Sequence, residues 1–252
     1  MRQTAAAILL AGTCLATVSE VSAGESCLFP PYAEATTAIS ALTQRLVMAL
    51  EPFPSLRDAL SAQSPTLCLS DDLVEEQGYF EPASNRIVLN AGLSQDFQLA
   101  ILIHEVRHLD QFRRGACPTT AYRMTEYIRE RLALEADASA VGVYVAWTLR
   151  KAGDPGPWEM LETWPTHDDL VARFAEAMET SGNEVDATAS TFAQWYERAE
   201  RREIYTYAIC SNYLDALDRE KVVAGQKKMP EDYAESLCVL PDGRPYDCTI
   251  PP

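Results

Sequence analysis

Histidine is scarce in this chain, with three in 252 residues. Positive charge is scarce too: 21 lysines and arginines face 37 acidic residues, for a net charge of −16. That balance repels phosphate backbones and anionic lipid surfaces, so nucleic acid and charged membranes are poor partners. There is no internal repeat and no low-complexity block. No CxxC spacing occurs, which speaks against cysteine zinc ligands. Beyond the N-terminus no apolar run is long enough to cross a bilayer, so no transmembrane segment is expected.

What remains is a chain that is 47% hydrophobic, enough for one sizeable core. Residues 1–23 read as a secretory signal peptide. Arg2 gives the positive start, Ala5 to Val18 the apolar stretch, and Val21-Ser22-Ala23 the cleavage site. A lipoprotein reading at Cys14 is weaker, because Thr13 is a poor neighbour for a lipidated cysteine. The expected location is therefore outside the cytoplasm, periplasmic or secreted. Removal of the signal leaves Cys27, Cys68, Cys117, Cys210, Cys238 and Cys248, an even set that suits up to three disulfides. Cys238 and Cys248 bracket a Pro-Asp-Gly turn and form the best single pairing.

Hydrophobic periodicity predicts an α+β chain, mostly helical. Helices are expected over 33–51 and 54–63, broken by Pro52 and Pro54. Strands are expected at Thr66 to Ser70, Gly78 to Phe80 and Arg86 to Asn90. Ser94 can cap the next helix and Gly115 can end it. Helices follow over about 120–152, 167–180 and 187–221, and the stretch Trp195 to Tyr213 reads as core packing. Residues 24–229 would form a single domain with C-terminal helices. Residues 230–252 would form a proline-rich, disulfide-stapled tail. Residues 24–65 read as core helices, with a covering prosegment as the alternative.

Two of the three histidines bracket a glutamate, in His104-Glu105-Val106-Arg107-His108. On a helix, residues four apart share a face, so both imidazoles can reach one ion. Glu105 lies about 100° further round, where its carboxylate can meet a water on that ion. Zinc hydrolysis needs two imidazoles, a base beside the water and a third ligand from elsewhere. HExxH also occurs by chance on ordinary helices. Here the scarcity of histidine and the preceding apolar run, Phe97 to Ile103, favour a buried metal site.

The third ligand should come from another helix. A histidine six residues beyond His108, the metzincin pattern, is replaced by Arg114. His167 is the only other histidine. Glu135 is the stronger candidate, on a helix that Ala133, Ala136, Ala138 and Ala140 allow to approach closely. Asp137 stands next, with Glu130 and Glu126 weaker. Gln111 shares the histidine face and could hydrogen-bond a ligand or the second helix. Arg107 could neutralise a buried carboxylate such as Asp137. Plain packing or surface roles remain open for both.

The constellation resembles the gluzincin group of zincin metallopeptidases, above all its small single-domain bacterial members. The string from His104 to Gln111 is also similar to that of an uncharacterised bacterial metallopeptidase family. The resemblance covers about residues 66–150. It implies a zincin-like fold, with a small sheet before the HExxH helix and a second, ligand-bearing helix. It implies Zn2+ on His104, His108 and Glu135, with Glu105 as general base and a peptide or protein as substrate. The chain departs from the group at Ser139, where many members carry aspartate. The alternative spacing Glu-x-x-Ala-Asp would put the ligand at Ala133, which has no donor.

The expected reaction is peptide hydrolysis, with zinc polarising the scissile carbonyl and Glu105 moving the proton to the leaving amine. His167, Tyr205 and Tyr207 are candidates to steady the oxyanion. In zincins an edge strand before the motif helix commonly holds the substrate backbone. Ile87, Val88 and Leu89 stand in that place, and would bind by strand addition or serve as ordinary sheet. Two other readings stay open. One is an exported, non-catalytic zinc-containing binding or structural protein; the other is a disulfide-stapled interaction domain without metal. The intact base at Glu105 favours the enzyme.

Overall fold

The computed structural model describes residues 24–33, 36–74 and 76–251. The signal-peptide reading and Cys14 lie outside the described residues. Strand β1 (Glu25–Leu28) is followed by helices α1 (Ala38–Ala49) and α2 (Pro54–Gln63). Strands β2 (Thr66–Ser70), β3 (Gly78–Glu81) and β4 (Arg86–Asn90) complete one sheet in the order β1-β2-β4-β3. The pair β2–β4 is parallel and the outer pairs are antiparallel. The long helices α3 (Gln95–Arg113) and α4 (Met124–Lys151) then cross the centre of the protein. Around them lie α5 (Gly156–Thr163), α6 (Asp168–Ser181), α7 (Glu184–Trp195), α8 (Ala199–Glu220) and the short α9 (Tyr233–Leu237).

One hydrophobic cluster runs through all of this. It joins Leu42, Phe53 and Leu56 of the first helices to Leu67 and Ile87 of the sheet, and to Leu102, Val141, Phe174 and Tyr246. The chain is thus α+β and mostly helical. Ser94 caps α3, accepting from the Phe97 amide, and Gly115, at φ +74°, carries the chain out of it. In α4 the interior is buried on all sides, Ala133, Ala136, Ala138 and Ala140 included. By length and composition α4 would pass for a membrane span, but 83% of its most apolar stretch is buried inside the protein, as in a core helix.

The structure departs from the sequence reading at several places. β1 was not expected; it is held to β2 by four paired positions and by the disulfide Cys27–Cys68. α5 was not expected either, because Gly153 to Gly156 reads as a stop. Pro157, in the first turn of α5, fits there without losing a helical hydrogen bond. The expected helix over 187–221 is two helices. Arg201 Nη1 donates to Trp195 O at 2.9 Å and Arg202 Nη1 donates to Tyr196 O, closing the end of α7 before α8 begins. Two disulfides are present among the described residues, not three. The second is Cys238–Cys248; the sulfur of Cys210 instead lies 3.8 Å from Met124 Sδ. The tail is no loose appendage, since Leu237, Leu240, Tyr246 and Cys248 are buried in the common core.

β4 also needs correction. It is an inner strand, paired with β2 on one side and β3 on the other, and Ile87, Val88 and Leu89 are buried. Neither of its backbone edges can take an added strand. The edge beside the motif helix belongs to β3.

Candidate metal centre

Helix α3 presents His104 and His108 on one face, and α4 brings Glu135 against them. The two Nε2 atoms are 3.0 Å apart. Glu135 Oε2 lies 3.3 Å from His108 Nε2 and 3.6 Å from His104 Nε2. These edges match a tetrahedral site, where bonds of about 2.05 Å give ligand-to-ligand distances of roughly 3.3 Å. Glu135 Oε2 is buried and makes no hydrogen bond. Burial alone would raise the Glu135 carboxyl, but His108 and His104 beside it, when protonated, hold it well below the usual range. Arg131 approaches its other oxygen at 3.8 Å.

The proton of His108 is placed by its neighbour. His108 Nδ1 and Gln111 Oε1 are 2.8 Å apart. An amide oxygen only accepts, so Nδ1 carries the hydrogen and Nε2 keeps its lone pair toward Glu135 and His104. The amide of Gln111 is oriented in turn, its Nε2 donating to Leu134 O at 3.0 Å and Asp137 Oδ2 at 2.6 Å.

Asp137 is not part of the cluster of donors. Its oxygens accept from Arg107 Nε at 2.7 Å and Nη2 at 2.8 Å, and from the Tyr246 hydroxyl at 2.5 Å. These partners hold its carboxyl below its usual range against the opposing effect of burial. Glu126 is engaged by Arg123 and Arg129. Among the described residues the other grouping of possible donors is Glu25, Cys27 and Cys68. There the two sulfurs are spent on each other in a disulfide, and Glu25 is paired with Arg86.

Glu105 sits between two narrow cavities of about 20 Å³ each, room for a single water apiece. Among its walls, one cavity has Gly78, His104, Ser139, Gly142, Trp164 and His167. The other is bounded by Phe80, Pro82, His108, Cys117, Arg131 and Glu135. Burial pushes the Glu105 carboxyl up to about 7, with His104 and the Phe80 backbone amide opposing the rise and Glu135 adding to it. Its Oε2 is buried without a hydrogen-bond partner.

Of the three candidates for the oxyanion, His167 lies on the cavity wall, stacked on Trp164 with ring centres 4.2 Å apart. Burial holds its imidazole neutral, well below its usual pKa. Tyr205 is buried close enough to Glu135 and Glu105 to feel their charge, and burial pushes its phenol well up. Tyr207 is 77% exposed and points away from the core. Several contributors were not foreseen. Arg131 stands four residues before Glu135, and Ser139 and Gly142 stand four and seven after it, so helical spacing alone would have found them. The Phe80 amide and Tyr246 carry no local signal.

Residues 19–248 match the family described as "Putative metallopeptidase family (DUF6782)". The chain belongs to that family. No curated protein and no solved structure matches it. A metallopeptidase family calls for a metal ion and a peptide substrate. The cluster His104, His108 and Glu135 is where the described residues bring three donor atoms within 4.8 Å of one another without a disulfide among them. The unpartnered carboxylate oxygen and the converging imidazoles fit a small divalent cation with nitrogen and oxygen ligands.

Proposed function

We propose that the chain is an exported, zinc-dependent peptidase of the gluzincin type, with a zincin-like domain over residues 24–229 and a stapled tail over 230–252. His104, His108 and Glu135 would hold the ion and Glu105 would act as general base. The observation that carries this reading is the triangle of Nε2, Nε2 and Oε2, with edges of 3.0, 3.3 and 3.6 Å, beside a buried carboxylate oxygen, Glu105 Oε2, that lacks a partner.

A bound zinc ion supplies Lewis-acid polarisation of a carbonyl and acidifies a water. The chain's own groups do the rest. Glu105 would take a proton from water on Oε2 and return it to the leaving amine. The Phe80 amide holds the Glu105 carboxylate in place from the edge of β3. His167, neutral and at the cavity wall, and Tyr205, buried beside Glu135 and Glu105, are the groups left to meet the carbonyl oxygen. The substrate backbone is assigned to the outer edge of β3 rather than to β4. In an antiparallel ladder alternate residues face outward. Asn90 N donates to Gln77 O, so Gly78 and Phe80 are the outward pair, and with the Phe80 amide on Glu105 the groups open to a substrate are the Gly78 amide and the two carbonyls.

The deciding experiment is zinc per chain, measured by elemental analysis on the mature protein and on Glu135→Ala. One zinc in the wild type, lost or greatly weakened in the variant, upholds the site. Zinc retained by the variant moves the third ligand elsewhere. No zinc in the wild type after incubation with the metal rejects the reading.

A further inference from the structure

A chain of buried hydrogen bonds runs from the C-terminal tail to His108, on the side of the ring away from the candidate metal. The Tyr246 hydroxyl donates to Asp137 Oδ1 at 2.5 Å. Asp137 Oδ2 accepts from Gln111 Nε2 at 2.6 Å, and Gln111 Oε1 accepts from His108 Nδ1 at 2.8 Å. All four side chains are buried, Asp137 and Gln111 completely.

Each link leaves the next one a single arrangement. A carboxylate offers about four acceptor positions. Asp137 fills them with Arg107 Nε, Arg107 Nη2, Gln111 and Tyr246. The Gln111 amide has two hydrogens, and both are spent, on Leu134 O and Asp137. A flipped amide would turn its oxygen toward two acceptors. The amide is therefore fixed, its oxygen faces His108, and the His108 proton is fixed on Nδ1.

The tail end of this chain is itself anchored. The Tyr246 amide donates to Cys238 O at 3.0 Å, and Val239 pairs with Pro245. The disulfide Cys238–Cys248 closes the same loop. Arg107 Nη2 also reaches Leu237 O at 3.1 Å and Val239 O at 2.9 Å. The segment that carries Tyr246 is thus seated on the motif helix.

We propose that Tyr246 is a positioning residue for the metal centre: through Asp137 and Gln111, the stapled tail sets the ring orientation and the tautomer of His108. This rests on the reading that His108 is a metal ligand. Outer partners of ligating histidines change metal affinity by about 10–100-fold. Tyr246 acts at two removes, so its effect belongs at the lower end of that range.

The test is the zinc dissociation constant of the full mature chain, measured by competition with a chromophoric chelator well below the melting temperature. It compares wild type, Tyr246→Phe, Gln111→Ala and Tyr233→Phe. Tyr233 is a buried tyrosine of the same tail, whose hydroxyl reaches Ala116 O instead, so its variant reports general loosening. The expected result is zinc weakened about tenfold by Tyr246→Phe, at least as much by Gln111→Ala, and unchanged in Tyr233→Phe. Nitrogen-15 NMR of the metal-free protein, at a pH where the rings are neutral, gives a second readout: wild-type His108 holds its proton on Nδ1, and Tyr246→Phe raises the share on Nε2. Zinc bound equally by wild type and Tyr246→Phe, with the tautomer unchanged, overturns the inference and leaves the metal site standing. A lower melting temperature at an unchanged constant makes Tyr246 a strut and overturns it too. A wild type that binds no zinc overturns the site and this inference together.

Discussion

Arg107 grips Asp137 at two points, Nε on Oδ2 at 2.7 Å and Nη2 on Oδ1 at 2.8 Å, with both side chains buried. The grip joins α3 to α4 beside the histidine pair and Glu135. It sets the spacing between the two helices that carry the candidate ligands. Asp110, also buried, takes Arg107 Nη1 at 3.0 Å and Arg113 at 3.1 Å, so the guanidinium is held from both helices. The arginine and glutamine of the motif string are therefore explained by helix pairing and by His108.

Removing one partner of this grip leaves a charge buried alone. Asp137→Ala should cost about 3–5 kcal/mol, as breaking a buried pair does. In a protein of this size that lowers the melting temperature by roughly 6–20 °C. Arg107→Lys should restore little, because an ammonium cannot reproduce the forked contact. Thermal and urea melts of both variants check this. A loss under about 1 kcal/mol in Asp137→Ala would show that the pair is dispensable.

Glu105→Gln keeps the shape of the site and removes the base. Turnover on a peptide substrate should fall by about 10²–10⁴-fold, the usual contribution of a positioned base. Zinc content should stay at the wild-type level, because Glu105 is not one of the three converging donors. Undiminished turnover with zinc bound would remove Glu105 from the mechanism.

Much of this site was legible because its residues repeat on helices. His104, His108 and Gln111 share one face by spacing alone, and alanines at 133, 136, 138 and 140 announce a helix that packs closely. Long apolar runs and proline breaks also placed α2, β2 and β4 where they stand. What escaped depends on contacts distant in sequence. Whether β4 is an inner or an edge strand is decided by β2 and β3, not by its own residues. The Phe80 amide is a backbone group that any residue but proline would supply. Tyr246 meets Asp137 across 109 positions, and nothing near either one foretells it. The split of 187–221 into two helices rests on Arg201 and Arg202 turning back to carbonyls, which a periodic pattern does not contain.

At Gly78, β3 lies close against β4 and the motif helix. A Cβ there would lie 2.8 Å from Leu89 Cδ2, 2.9 Å from Ile101 Cγ2 and 2.9 Å from Val88 O. Backbone and strand must shift to admit it, so Gly78→Ala should destabilise by about 1–3 kcal/mol, the usual range for overpacking. The shift should also carry the Phe80 amide away from Glu105, so turnover should fall while zinc content holds. Wild-type stability and turnover in this variant would show that the close approach has no role.

Glu130 offers a pH-dependent test away from the ligands. It is 1% exposed, and its Oε1 is buried with no hydrogen-bond partner. Burial, with Glu126 adding to it, pushes its carboxyl from 4.5 up to about 7. The folded state thus keeps this proton to a higher pH than the unfolded chain does. Its contribution to stability is fully present below about 4.5 and is lost as pH rises through 7. Glu130→Gln removes the charge at nearly constant volume. It should stabilise by on the order of 1–3 kcal/mol at pH 8, since each tenfold change in proton affinity is worth about 1.4 kcal/mol and an unpaired amide takes some of that back. At pH 4.5 that gain should be gone, with Glu130→Gln melting no higher than the wild type. Melting curves of both across this range decide the matter, and a gap independent of pH would mean that ionisation of Glu130 is not its cause.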